Sequence, residues 1–289
     1  MKLSIITINY NNKAGLQKTI DSVICQTWKD YEWIIIDGGS TDGSKELIEK
    51  YQQHFAYWCS EPDKGVYNAM NKGIAKAKGE YLNFMNSGDV FHDAFVLKNI
   101  FEKEHDEDIL IGQVLCVGTN RIINKFSHVN EICRKLLTEG LCHQGTFSKL
   151  DLLKQYPFDE NLKISSDWKF WLQTIICGNS TLLHMDILVA DYDMTGISST
   201  QHDTLRTERQ ITMNELFGER LTIELSQLYK EQVCLEGELQ IPAIKMLRYL
   251  YKNSTTWFSV LYRVILISVK IRDFLFREKS YTAFEKQSK

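Results

Sequence analysis

Paired cysteines, long apolar runs and proline are what this 289-residue chain is short of, and each shortage excludes something. Its seven cysteines, at 25, 59, 116, 133, 142, 177 and 234, are scattered, odd in number and never spaced as Cys-x-x-Cys. Reduced thiols in a cytosolic compartment are therefore the expected state. No stretch reaches the roughly 18 to 20 apolar residues that a membrane-spanning helix requires. The first residues run straight into an apolar strand, without the basic region, apolar core and cleavage site of a secretory signal. Internal repeats and low-complexity tracts are missing too. So are a Walker loop and a Gly-x-Gly-x-x-Gly fingerprint, which leaves P-loop and Rossmann dinucleotide assignments without support. Proline occurs only at 62, 157 and 242, and Pro242 is the best candidate for a boundary.

Apolar side chains make up 44% of the chain, enough for a substantial core. Charge is distributed unevenly. Residues 1–241 hold 24 Lys or Arg against 34 Asp or Glu, net −10, whereas residues 242–289 hold 10 against 3, net +7. Such a split predicts that the tail meets something anionic. In a continuous helix, Lys245, Arg248, Lys252, Arg263, Lys270 and Arg277 share one narrow stripe, with Leu250, Trp257, Phe258, Leu261 and Ile265 on other faces. A basic, aromatic-rich helix of this kind, over 243–277, can lie on an anionic membrane surface. Alternatively it packs its apolar face on the preceding domain, and Asn253-Ser254-Thr255-Thr256 could break it in two. Nucleic acid is not expected, because residues 1–241 are acidic and the tail's charges are interleaved with bulky apolar groups.

The segment Tyr31 to Asp42 organises the rest. Trp33 to Ile36 is an unbroken β-branched and aromatic run, as in a strand covered on both faces. It ends in Asp37, then Gly38 and Gly39, with Ser40, Thr41 and Asp42 available to cap a helix from Lys45 to about Gln53. Before it, Leu3 to Ile8 reads as a strand and Leu16 to Gln26 as a helix, completing a βαβ unit. After it come a short strand Phe55 to Cys59, a helix Val66 to Lys78, and a strand Tyr81 to Met85 that ends in Asn86-Ser87-Gly88-Asp89. Three strand ends thus finish in Asn9, Asp37 and Asp89, and in a parallel sheet they line one rim, where open α/β sheets bind ligands.

Further on, Ala94 to Glu104 reads as a helix, Ile109 to Val117 and Arg121 to Phe126 as strands, and Ser165-Ser166-Asp167 opens an amphipathic helix. Thr181 to Tyr192 is a late strand, Thr195 to Ser198 a turn, and Asp203 to Phe217 a helix. The fold class is α/β: a mostly parallel central sheet flanked by helices, with a helical basic extension at the C-terminus. The expected organisation is one domain over 1–241, in two parts, 1–92 and 93–241, followed by the tail 242–289.

Taken in order, Ser4-Ile5-Ile6-Thr7 through Tyr10-Asn11, Ser22 to Thr27, Ile36 to Gly43, Ser60 to Gly73, Gly79 to Asp89 and Ser165 to Trp168 resemble the family 2 glycosyltransferases of the GT-A fold. The similarity is to the bacterial polysaccharide and O-antigen branch in particular, dense over the first 90 residues and sparse to about 198. It implies an inverting transferase that moves a sugar from a nucleoside diphosphate to a glycan, lipopolysaccharide or other lipid-linked acceptor, peripheral on the inner face of the cell membrane. In that reading residues 1–92 bind the nucleotide and residues 93–241 the acceptor; Thr7, Asn9, Tyr10 and Asp37 hold the base, with Gly38 in the turn at the same cofactor-binding site. Asp63, Gly65, Asn68, Asn71 and Lys72 face the ribose and phosphates, where a helix start plus Lys suits anionic oxygens. Asn86 and Ser87 adjoin the family's metal motif, of which only the last acid, Asp89, remains. A single carboxylate, diphosphate oxygens and water can complete a Mg²⁺ or Mn²⁺ shell.

Asp167 matches the family's general base, and His143 and Gln144 fall where donor and acceptor approach, with Trp168 able to stack on an acceptor sugar. Each residue also has a plainer explanation. Asn9 and Asp37 could bond their own turns, Lys72 could be solvated, and Ser165, Ser166 and Asp167 are ordinary capping types worth about 1 kcal/mol. Cys142 beside His143 has no spaced partners for zinc. A nucleotidyltransferase, or a non-catalytic glycan-binding protein on the same scaffold, would share the nucleotide-binding core.

Overall fold

The computed structural model describes residues 1–126, 131–192 and 201–239. Alternating strands and helices open the chain: β1 (Leu3–Asn9), α1 (Lys13–Ile24), β2 (Tyr31–Asp37), α2 (Ser44–Tyr51), β3 (Tyr57–Ser60), α3 (Val66–Lys76) and β4 (Tyr81–Phe84). There follow β5 (Val90–Phe91), α4 (Val96–Phe101), β6 (Ile109–Cys116), β7 (Arg121–Ile123), α5 (Ile132–Thr138), β8 (Thr146–Lys149) and α6 (Leu150–Gln155). The last described elements are α7 (Ser166–Trp171), which runs on as a π-helical turn Leu172–Cys177, then β9 (Leu182–Tyr192) and α8 (His202–Leu239). Helix α8 is broken at Gly218 (φ 75°, ψ 157°), one residue past the end expected from the sequence.

These strands form one sheet in the order β3-β2-β1-β4-β8-β6-β9-β5, with β7 paired to β6. The first four strands are parallel, Asn9 lying beside Asp37 and Asp37 beside Ser60, so the polar strand ends come to one edge. Strand β8 enters antiparallel between β4 and β6, β5 returns antiparallel on β9, and β6 and β9 are parallel. From β1 the chain winds outward to β2 and β3 on one side, while β4 lies on the other. That reversal opens a crevice at the C-terminal ends of β1 and β4, the position where doubly wound sheets take their ligands.

Alternation along the buried strands feeds a core on each face. Ile6, Ile8, Ile34 and Ile36 pack under α3 and α7 with Tyr67, Met70, Phe158, Trp168 and Trp171; Leu3, Ile5, Trp33 and Ile35 pack under α1, α2 and α4. A Cβ at Gly73 would stand 2.7 Å from Ile6 Cγ2, so the glycine lets α3 sit directly on β1. Expected element positions hold to within a few residues, except that α8 continues past its break at Gly218 to Leu239. Capping of α2 differs: its N-cap is Gly43 at φ 88°, and Asp42 accepts the Ser44 amide from one residue further out.

Among the described residues no helix is long and apolar enough to cross a membrane. The turn expected at Thr195 to Ser198, the Pro242 boundary and the basic tail lie outside the described residues. Chain contacts separate Met1–Thr222, which carries everything below, from Ile223–Lys289.

Candidate active site

A cleft of about 1330 Å³ opens at the C-terminal ends of the parallel strands. Of the residues singled out in the sequence, Asn9, Tyr10, Gly38, Asp63, Gly65, Asn68, Asn86, Ser87, Asp89, His143, Gln144, Asp167 and Trp168 line it. Thr7, Asp37, Asn71 and Lys72 do not.

Thr7 and Asp37 are buried, Asn71 and Lys72 are partly exposed elsewhere, and all four are taken up by other partners. Thr7 is fully buried, donating to the Met85 carbonyl at 2.7 Å and accepting from the Trp33 indole at 3.0 Å. Asn71 anchors Phe158 and reaches Glu160, and Lys72 pairs with Glu61 at 2.7 Å. Asp37, also fully buried, accepts four hydrogen bonds. Oδ1 takes Asn9 Nδ2 at 2.7 Å and Ser40 Oγ at 2.6 Å; Oδ2 takes the Ser40 amide at 2.9 Å and Ser60 Oγ at 2.6 Å. Burial alone would push this carboxyl up, but the donors from Ser40, Ser60 and Asn9 outweigh it and hold it below its ordinary value. A base nitrogen could reach Asp37 only by displacing one of them. The residue thus ties the ends of β1, β2 and β3 together.

In front of those strand ends Gly38 lies close to Asp63: a Cβ there would stand 2.5 Å from Asp63 Oδ2, so the carboxylate would have to shift. Tyr10, 66% exposed, stands at the mouth. Asp63 accepts the Gly65 amide at 2.8 Å and shapes the entry to α3, while Asn68 donates to Glu160.

The β4 end is held by its neighbours. Asn12 donates to the Ser87 carbonyl at 2.9 Å, and Thr19 Oγ1 donates to the Asp89 carbonyl at 2.8 Å while accepting from the Gly88 amide. Asp89, 5% exposed, accepts Gln144 Nε2 on Oδ2 at 2.7 Å. On the same turn, Asn86 Oδ1 is buried without a hydrogen-bond partner. Among the described residues no three His, Cys, Asp or Glu side chains gather into a closed metal site. One carboxylate beside an unsatisfied amide oxygen nevertheless fits a hard cation that takes its other ligands from phosphate and water.

Across the cleft stands Asp167, in the first turn of α7. Ser165, the N-cap, makes no side-chain cap, and of Ser165, Ser166 and Asp167 it is Asp167 that accepts a first-turn amide, that of Trp168 at 2.8 Å. The Ser165 hydroxyl goes instead to Glu208 on α8, which also accepts the amides of Lys163, Ile164 and Ser165. Four donors on one buried carboxylate fix the loop that aims Asp167. Lys169, one turn on, is held between Asp159 and Glu215. The Asp167 carboxylate accepts the Tyr67 hydroxyl at 2.9 Å and faces His143 Nδ1 at 3.4 Å.

His143 and Gln144 share one 3-10 turn, His143–Gly145, braced by Asn83 of β4 through the Gln144 and Thr146 carbonyls. Each reaches a different carboxylate, Gln144 to Asp89 and His143 to Asp167, and His143 Nε2 lies 3.1 Å from Asn86 Nδ2. Burial pushes the neighbouring Cys142 thiol well up, so it stays protonated. Trp168 lacks an open face for a sugar: it is 3% exposed, its indole bonds the Leu136 carbonyl, and the Arg209 guanidinium lies over the ring at 4.8 Å.

Sequence reading missed Tyr67, Glu208 and Arg209. None of the three has a local spacing signal: their partners lie 100, 43 to 45 and 70 residues away in the chain.

Comparison with known proteins gives this geometry a context. The model of "Glycosyl transferase family 2" matches residues 4–154. A PGL/p-HBAD biosynthesis glycosyltransferase of Mycobacterium bovis is 29% identical over 230 residues, covering 77% of this chain and 88% of the relative. Residues 1–349 of Staphylococcus aureus TarS, crystallised with UDP-GlcNAc, share the fold at TM-score 0.59 and 19% identity, covering 78% of this chain and 70% of that one. The mannosyltransferase PcManGT of Pyrobaculum calidifontis, in complex with GDP-Man and Mn²⁺, does so at TM-score 0.56 and 14% identity, covering 92% and 79%.

Proposed function

Because this chain belongs to glycosyl transferase family 2, we propose that it moves a sugar, with inversion, from a nucleoside diphosphate to a hydroxyl of a lipid-linked glycan in cell-surface polysaccharide synthesis. Asp167 takes the hydroxyl proton as that oxygen bonds to the anomeric carbon. The bond from this carbon to the terminal phosphate oxygen breaks, and the nucleoside diphosphate leaves with the electron pair. The supporting observation is that Asp89 and Asp167 share one cleft and are engaged by adjacent residues of a single turn.

In this reading Asn9, Tyr10 and Gly38 receive the base, and Asp63, Gly65 and Asn68 the ribose and phosphates. Thr7 and Asp37 are buried and Asn71 and Lys72 partly exposed elsewhere, all four with other partners. Asp89, with Asn86 and Ser87 on its turn, would hold a Mg²⁺ or Mn²⁺ ion. Such an ion polarises phosphoryl oxygens and stabilises a departing diphosphate. His143 faces the acceptor side, where Arg209 covers Trp168.

Uridine and guanosine diphosphate sugars, the donors bound by TarS and PcManGT, are the first to test. With the right donor, the protein is expected to release nucleoside diphosphate in a reaction that a chelator stops and Mn²⁺ or Mg²⁺ restores. Release of pyrophosphate would instead identify a nucleotidyltransferase.

The basic segment 243–277 is proposed to bring the enzyme to the anionic inner face of the cell membrane, where a lipid-linked acceptor would lie. Full-length protein is expected to sediment with anionic liposomes at low salt, and deletion of 243–289 to abolish this. Unchanged sedimentation of the truncated protein would reject the assignment.

A further inference from the structure

Tyr67 stands in the first turn of α3, just past the loop assigned above to the donor's ribose and phosphates, and reaches a helix 100 residues further along the chain. Its hydroxyl donates to Asp167 Oδ1 at 2.9 Å, and the Trp168 amide donates to the same oxygen at 2.8 Å. Both lone-pair directions of Oδ1 are therefore engaged. Oδ2 meets His143 Nδ1 at 3.4 Å, outside the range of a good N–H···O hydrogen bond. The two oxygens are not equivalent: Oδ1 is tied down by two donors, whereas Oδ2, on a residue that lines the cleft, has the long His143 contact.

We propose that Tyr67 is a positioning residue for the base: by holding Oδ1 it leaves Oδ2 to take the acceptor proton, and it makes the aim of Asp167 depend on the seating of α3 behind the donor. This rests on the reading of Asp167 as the base. Tyr67 is suited to the task because its ring is fixed. It is 5% exposed and packs on Phe158 with ring centroids 5.4 Å apart. Burial, and then the adjacent Asp167 charge, push its ionisation well up, so the hydroxyl stays a donor at any working pH.

Other groups around the carboxylate cannot substitute. His143 approaches the other oxygen, and the Arg209 guanidinium bonds the Glu139 carbonyl at 2.8 Å. Neither constrains rotation of the carboxylate about its last bond. A misaimed base loses rate without losing substrate, because ground-state binding does not use that proton path.

The plainer alternative is that the bond only staples α3 to α7. Tyr67→Phe separates the two, since it keeps the buried ring and removes one oxygen. Full-length wild type, Tyr67→Phe, Asp167→Asn and the double variant would be compared by steady-state kinetics, well below the melting temperature of the least stable. The expected result is a kcat about 10-fold or more lower in Tyr67→Phe, with donor and acceptor KM within about two-fold, and no further loss when Tyr67→Phe is added to Asp167→Asn. The proposal is overturned if Asp167→Asn is inactive while Tyr67→Phe turns over within two-fold of wild type, or if the two losses multiply. Wild-type turnover by Asp167→Asn would instead remove the base reading itself, and this proposal with it.

Discussion

Asp167→Asn is expected to lower kcat by roughly a thousand-fold while leaving donor affinity within about two- to three-fold of wild type, since a positioned general base contributes ~10² to 10⁴ in rate. The substitution is close to isosteric. Its amide oxygen can still accept the Tyr67 hydroxyl and the Trp168 amide that Asp167 Oδ1 accepts now. Only the capacity to take a proton at Oδ2 is lost. Folding should be little affected, because the asparagine keeps those two bonds and α7 is held by Glu208 and Lys169. Removing a negative charge from the first helical turn costs ~0.3 to 1 kcal/mol through the helix dipole. Initial rates with saturating donor, alongside calorimetric titration of the nucleoside diphosphate, separate the two effects. Turnover near the wild-type rate would show that another group accepts the proton.

Why the strand ends that line the cleft are legible and the brace around Asp167 is not follows from how each is encoded. Strands β1, β2 and β4 are apolar runs closed by Asn9, Asp37 and Asp89, and each boundary is a local change of residue type. A parallel arrangement then places those ends together without any long-range knowledge. What local pattern cannot give is the direction in which a strand-end carboxylate points. Asp37 turns toward Ser40 and Ser60, inside the wall, because β2 is flanked by β1 and β3 and its end is roofed by the following loop. Trp168 was misread for a related reason: an aromatic next to a catalytic acid suggests stacking, but its partner, Arg209, lies 41 residues later.

Glu208 shows the same limit more sharply. On α8 it is one polar residue among many, and its value arises only because the amides of 163 to 165 converge on it. Such a brace has no sequence spacing of its own. His143 and Gln144 lie between these extremes. Their neighbourhood was anticipated through the family resemblance, but their division between two carboxylates depends on a 3-10 turn that Asn83 holds from the adjoining strand.

Asp37→Ala is expected to destabilise the domain by about 3 to 5 kcal/mol, because it removes a fully buried carboxylate that four hydrogen bonds hold at the ends of three strands. Ser60 Oγ and the Ser40 amide lose the partners they now have, and Asn9 keeps only Ser40 Oγ, at 3.1 Å. Against a typical folding stability of ~5 to 15 kcal/mol this is a large fraction. The effect should also depend on pH, in a direction fixed by linkage. The carboxyl's value is lower in the folded protein than the ordinary 3.8, so the unfolded chain binds its proton first as pH falls. Stabilisation from Asp37 is therefore complete above the unfolded value and is lost as pH drops through the folded one. Thermal melts of wild type and Asp37→Ala should differ most near neutral pH and converge below about pH 4. Because Asp37 ties three strand ends behind the proposed base pocket, donor affinity should fall with stability, unlike in Asp167→Asn. Equal melting temperatures at pH 7, or a gap that does not narrow in acid, would mean that its four hydrogen bonds carry no net stabilisation.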